Sequence, residues 1–200
     1  AVDEALSCSK RPEKETVVVN DATSGIVKEI VKGYRACYAE TDVGEINVVE
    51  SMLKSKSLIG GEGSSSGVII PPSKCRDGIL TMLFILRMAA KRRKSIAEII
   101  GEYPKYITLR KELAIPAGSE EKLKEDIAKF YKDKGFRVKI SQSVKVWINS
   151  NTYLWFRVSR TESNKLRIIA DSDSKSLAES HMDEAYTAVD KYAQNLNRVK

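Results

Sequence analysis

Apolar positions in the first hundred residues switch repeatedly between a strand-like run and a helical spacing. Glu15 to Asn20 (ETVVVN) is a continuous β-branched run and predicts a strand; polar residues through Gly25 then lead into Ile26, Val27, Ile30 and Val31, which are spaced as on one helix face. Cys37 to Thr41 predicts a second strand, and after Gly44 the spacing of Ile46, Val49 and Leu53 predicts a helix to about Lys54. Ser57 to Gly60 and Val68 to Ile70 read as two further short strands. The longest helical pattern is Arg76 to Arg93. Its Ile79, Leu80, Leu83, Phe84, Leu86 and Met88 should form a broad buried face, with Met82 and Met88 both in the core. A short helix, Ser95 to Ile100, is ended by Gly101 and Pro104. Alternating β and α elements predict a three-layer α/β domain over residues 1–103.

Beyond Tyr103-Pro104-Lys105-Tyr106 the pattern changes. Ile107 to Ile115 is a strand candidate, Ser119 caps a helix through about Lys134, and Gly135 is placed to end it. Extended runs follow at Arg137 to Ile140, Val144 to Asn149, Tyr153 to Val158 and Leu166 to Ala170, and a last helix runs from Ser174 to about Asn195. Strands in succession flanked by helices predict an α+β domain over residues 104–200 with a four-stranded antiparallel sheet.

Composition narrows the class. With 42% hydrophobic residues among 200, the chain reads as soluble and globular, with enough apolar mass for one large or two small cores. The net charge of +7 invites a polyanion, but the cations are interspersed with 27 acidic residues. The densest basic run, Lys91 to Lys94, closes a helix, where cations suit the C-terminal dipole. The expectation is therefore no nucleic-acid partner. No apolar run reaches the roughly 18 residues of a membrane span, and Cys8, Cys37 and Cys75 are too scattered for a metal or disulfide framework. Free thiols point to a reducing compartment, with the cytoplasm as default.

Two loops carry candidate chemistry. Gly60 to Gly67 (GGEGSSSG) lies between two short strands; its glycines permit close backbone approach and Glu62 offers a strong acceptor, which suits vicinal sugar hydroxyls, although such a composition equally suits a linker. The turn after Tyr153 to Val158 gathers Arg157, Ser159, Arg160, Thr161, Asn164 and Lys165. These are donors for an oxyanion, and also ordinary hairpin-turn residues. Asp171 and Asp173 are spaced like a carboxylate pair but precede the last helix, where an N-cap is the simpler role. His181, the single histidine, has no catalytic partners around it in the sequence.

Gly61-Glu62-Gly63-Ser64 resembles the sugar-binding loop of the α-D-phosphohexomutases, whose usual form is Gly-Glu-x-Ser-Gly-His. Arg76-Asp77-Gly78 followed by Leu80-Thr81 is similar to the start of that family's next helix, and Arg157-Val158-Ser159-Arg160-Thr161-Glu162 is similar to its phosphate loop, Arg-x-Ser-Gly-Thr-Glu. The matches span about residues 16 to 171 in the family's order. The resemblance implies most of the family's third domain followed by its mobile fourth domain. It implies that Glu62 and Ser64 bind sugar hydroxyls, while Arg157, Ser159, Arg160 and Thr161 hold the phosphate that is not transferred. Ser65-Ser66 stands where Gly-His is frequent, and Arg160 where the phosphate loop has glycine.

The family interconverts hexose 1-phosphate and hexose 6-phosphate through a phosphoserine and a bisphosphorylated sugar. It needs a serine loop in the first domain and a magnesium loop of the Asp-x-Asp-x-Asp type, and neither is in this chain. The resemblance therefore implies the substrate-binding half of such an enzyme, a fragment or one polypeptide of a split pair. Catalytic residues and Mg2+ ligands would lie elsewhere, and the missing N-terminal half or a second copy would be the partner. The alternatives are a stand-alone sugar-phosphate-binding module without catalysis, and a basic nucleic-acid-binding protein.

Overall fold

The computed structural model describes residues 1–63, 67–159 and 164–198, with side chains through 194. It divides into two compact units, Ala1–Pro104 and Lys105–Lys200.

The first unit is built on β1 (Thr16–Asn20), whose Val17, Val18 and Val19 are all buried. An uninterrupted β-branched run is what a strand covered on both faces needs. Val17 and Val19 point to one side, into a cluster with Ala5 and Leu6 of α1 (Val2–Cys8) and Val31 of α2 (Gly25–Gly33). Val18 points to the other, against Val48, Val49 and Met52 of α3 (Glu45–Ser55). The sheet order is β2-β1-β3-β4, with β2 (Cys37–Thr41) and β3 (Ile59–Gly61) parallel to β1 and β4 (Val68–Ile69) antiparallel to β3. This is the expected three-layer α/β arrangement.

One expectation about this unit fails. In α4 (Gly78–Arg92), which Asp77 caps by accepting from the Leu80 amide at 2.8 Å, Met88 is the buried residue. Phe84 packs against the first cluster and Leu80 is half-buried. Ile79 is 71% exposed, and Met82, Leu83 and Leu86 are each 52% exposed, so the face expected to be buried is split and Met82 is not in the core. The physical reason is that α4 is apolar nearly all round, and a helix of that kind has two faces to cover while this unit covers one. α5 (Ile96–Glu102) follows, opened by a capping box between Ser95 and Glu98.

The second unit is a sheet of order β5-β9-β8-β7-β6, antiparallel throughout, with α6 (Glu120–Asp133) and α7 (Lys175–Arg198) packed on one face. It has five strands, one more than the four expected. β5 (Ile107–Ala114) pairs along its whole length with β9 (Lys165–Ser172), a partner more than fifty residues away that local patterning does not show. β6 (Arg137–Ile140), β7 (Val144–Trp147) and β8 (Thr152–Val158) complete the sheet. Leu154 and Phe156 of β8, Leu166 and Ile168 of β9, Leu123, Ile127 and Tyr131 of α6, and Met182, Ala185 and Val189 of α7 fill the core. Gly135, at φ +83°, follows the end of α6, a left-handed position that suits glycine.

Asp171 is not a helix cap. It is fully buried inside β9, where its carboxylate accepts from the Thr108 hydroxyl of β5 at 2.6 Å, while Asp173 accepts from Asn151 at 2.7 Å. His181 is mostly buried on α7, with Nδ1 3.5 Å from a Glu184 carboxylate oxygen.

Candidate functional site

Glu62 stands just past the end of β3, on the edge where the parallel strands β1 and β2 also finish, at Asn20 and Thr41. Carboxyl ends of parallel strands are where open α/β sheets bind ligands, because the chain reverses there and leaves a crevice. Glu62 is only 8% exposed. One carboxylate oxygen accepts from Asn20 Nδ2 at 3.1 Å and from the Gly44 amide at 2.9 Å; the other is 3.3 Å from Arg76 Nη1. Arg76 is itself anchored, its backbone N–H and Nε both donating to Glu45 at 2.8 Å. Those two hydrogen bonds hold the Glu45 carboxyl below its usual range. The result is a carboxylate fixed in direction from three separate segments.

Gly63 has a local reason to be glycine. The Gly63 amide donates to Thr23 Oγ1 at 3.0 Å, and a Cβ on Gly63 would lie 2.6 Å from the Thr23 Cα, so only glycine fits. Thr23 in turn donates to Asn20 Oδ1 at 2.9 Å, which ties this turn to the residue that orients Glu62. Asn20, Thr23, Gly44 and Glu45 are contributions the sequence reading missed. For Asn20 the available signal was a polar residue closing the apolar run Val17–Val19; the other three carried none. Ser64 lies outside the described residues.

In the second unit, Arg157, near the end of β8, and Ser159, just past it, border a cleft of 490 Å³ that is also lined by Ser141, Gln142 and Lys124. The alternation of β8 sends Leu154 and Phe156 into the helix-covered core and leaves Arg157 half-buried on the opposite course. The Ser159 amide donates to the Lys165 carbonyl at 2.9 Å, which closes the hairpin and leaves Ser159 buried at its neck. Glu120 and Glu121, in the first turn of α6, border the same cleft. Lys124, Ser141 and Gln142 also escaped the sequence reading, because they lie on α6 and the β6–β7 turn, remote in sequence from the hairpin. Arg160 and Thr161 lie outside the described residues. The structure thus brings Arg157 and Ser159 together, and places Glu62 in the other unit.

Among the described residues no group of three or more His, Cys, Asp and Glu is placed to hold a metal ion. No described helix is long and apolar enough to cross a membrane.

Comparison with known proteins gives a consistent picture. Residues 2–106 match the family described as phosphoglucomutase/phosphomannomutase, alpha/beta/alpha domain III. A phosphoglucomutase/phosphomannomutase of Thermococcus kodakarensis is 29% identical over 84% of this chain and 36% of its own length. A probable phosphoglucosamine mutase of Pyrococcus abyssi is 30% identical over 84% of this chain and 37% of its own. Among solved structures, a phosphoglucomutase/phosphomannomutase family protein of Burkholderia thailandensis superposes with a TM-score of 0.76 at 16% identity, covering 96% of this chain and 40% of that one. The chain therefore spans well under half the length of the relatives it matches. With its first hundred residues matching the family's third domain and nearly all of it superposing on a family structure, the chain belongs to the phosphoglucomutase/phosphomannomutase family.

Proposed function

We propose that this chain is the substrate-binding half of a phosphohexomutase, taking sugar hydroxyls at the Glu62 loop and the non-transferred phosphate at the Arg157 loop, with phosphoryl transfer carried out by residues outside it. The observation that supports this reading is that Arg157 and Ser159, the described residues of the phosphate-loop motif, both line a cleft of 490 Å³ beside the β8–β9 hairpin. A guanidinium fork and a short hydroxyl are matched donors for phosphate oxygens, and the fork fixes orientation as well as charge. Ser64, Arg160 and Thr161 belong to the same proposal through their motif positions. For Glu62, support comes from its partners. Asn20, Gly44 and Arg76 hold the carboxylate in one rotamer, so a hydroxyl meets an acceptor that is already oriented.

The chain's contribution is positioning, and the magnesium site falls to the rest of the enzyme. Its partners would be hexose phosphate and the N-terminal half of the same enzyme, with self-association when that half is absent. Three exposed free thiols accord with a reducing, cytoplasmic setting.

Calorimetric titration with glucose 1-phosphate and inorganic phosphate tests the assignment. Arg157→Ala should weaken both ligands by about tenfold to a hundredfold, since a charge-assisted hydrogen bond contributes roughly 1.5 to 3 kcal/mol. Arg157→Lys should recover part of that, keeping the charge and losing the fork. Glu62→Gln should weaken the sugar phosphate and leave inorganic phosphate nearly unchanged. If Arg157→Ala binds both ligands like the parent, the loop is a hairpin turn and the assignment fails.

A further inference from the structure

Glu62 follows β3 at the carboxyl end of the parallel strands, and the opposite end of the same strand has no part in the function proposed above. Leu58 stands there, directly before β3, and is 53% exposed. It lines two separate clefts. One, of 560 Å³, is walled by Leu58, Ile59, Ile70 and Phe84, together with Lys10 and Arg11. The other, of 260 Å³, is walled by Leu58, Val49, Leu53 and Ile69, together with Lys56 and Lys74. Ile59, Ile70 and Phe84 belong to the core layer of α1 and α2, and Val49 and Ile69 to that of α3. The clefts therefore enter the unit on the two sides of its sheet, with Leu58 as the ridge between them.

All four cations are exposed, and among the described residues none of them is in an ion pair. The one acid among the described residues lining either cleft is Glu15, and it already accepts from Ser9 Oγ at 2.7 Å. Apolar walls beside uncompensated positive charge match a ligand that brings apolar groups and carboxylates together. We infer that this end of the first unit docks an acidic peptide segment of a partner protein, which places one apolar side chain in each cleft, on either side of Leu58, and its carboxylates against Lys10, Arg11, Lys56 and Lys74. The separation of the clefts decides the kind of ligand. A single acyl chain needs one continuous trough, and a membrane surface lies over projecting residues without entering either cleft, whereas a peptide projects side chains at intervals and spans the ridge. The apolar anchors supply affinity, and the exposed cations set the encounter rate and the preference for acidic segments. None of these residues takes part in the sugar-phosphate site, so either assignment stands or falls without the other.

Fluorescence polarisation with the 200-residue chain at low salt provides the test. The probes are fluorescein-labelled ten-residue peptides of Asp and Glu carrying one Phe and one Leu two, three or four positions apart, with two controls in which Ser replaces both apolar residues or Gln replaces every acid. At least one peptide should bind saturably with a micromolar Kd, and both controls should bind about tenfold more weakly or worse. Leu58→Ser should weaken the best peptide by about tenfold, as loss of a central apolar contact does. Lys10→Glu with Arg11→Glu, and Lys56→Glu with Lys74→Glu, should each weaken it by roughly fivefold to tenfold, with a smaller effect as salt rises. These are exposed positions, and an unchanged melting temperature checks that the variants fold. Absence of saturable binding by every peptide, or binding that the charge reversals leave unchanged, overturns the assignment. Tighter binding of laurate or of phosphatidylserine vesicles than of the best peptide also overturns it, by making the ligand a lipid. So does loss of a chain dimer in sedimentation through Leu58→Ser with no effect on peptide binding, which makes the occupant a second copy.

Discussion

Asp3 shows how much one polar side chain can organise in the first unit. It is buried on α1 and accepts from the Tyr34 hydroxyl at 2.7 Å, from the Tyr103 hydroxyl and from Arg92 Nη2. Burial alone would raise its pKa, but the hydrogen bonds from Tyr103 and Tyr34 and the Arg92 charge together hold it below the usual carboxylate range. Burial and the bond to Asp3 push the Tyr103 hydroxyl up to about 12. A carboxyl with a depressed folded pKa stabilises fully above its unfolded value near 3.9, and that contribution is lost as pH falls through the lower folded value. Asp3→Asn should therefore cost about 2 kcal/mol at neutral pH. In thermal melts, the gap between parent and variant should narrow steadily below about pH 4. A gap that stays constant down to pH 2 would show that the charge of Asp3 contributes nothing.

At the scale of elements, α4 is the informative case. Its inward course, with Phe84 and Met88, secures it to the unit, while Ile79, Met82, Leu83 and Leu86 form a second stripe at helical spacing that the described residues leave exposed. An apolar stripe of this kind favours contact with another apolar surface, and in a purified sample the available surface is a second copy. Replacing Leu83 and Leu86 together by Lys should reduce binding of a hydrophobic dye several-fold and shift sedimentation towards the monomer. The melting temperature should move little, because about half of each side chain is already in water. Unaltered sedimentation and dye binding would remove the stripe from any role in association.

For the whole molecule, the decisive fact is coverage: the chain matches 36% and 37% of the relatives from Thermococcus kodakarensis and Pyrococcus abyssi. The serine and aspartate loops implied by the resemblance are not in its sequence, and positioning without a nucleophile does not transfer a phosphoryl group. The purified chain should therefore show no conversion of glucose 1-phosphate to glucose 6-phosphate above background in a coupled assay with added magnesium. Turnover that co-purifies with the chain through successive columns would overturn the proposal that catalysis resides elsewhere.

Much of the architecture was local enough to be read along the chain. The Val17–Val19 run called for a strand, Gly135 for the end of a helix, and the runs Tyr153 to Val158 and Leu166 to Ala170 for two strands joined by a polar turn. The family, too, was legible, because its motifs are short contiguous strings. The residues Glu62, Arg157 and Ser159 could be named as candidates for the same reason. Their surroundings could not. Asn20 and Gly44 reach Glu62 from 42 and 18 positions away, and Lys124 enters the cleft of Arg157 from another element. Periodicity records which way a side chain points from its own helix or strand, whereas convergence depends on where the chain returns. The pairing of β5 with β9, the burial of Asp171 between strands and the choice of which apolar face α4 turns inward were decided only by the tertiary structure, because each depends on a surface supplied by distant sequence.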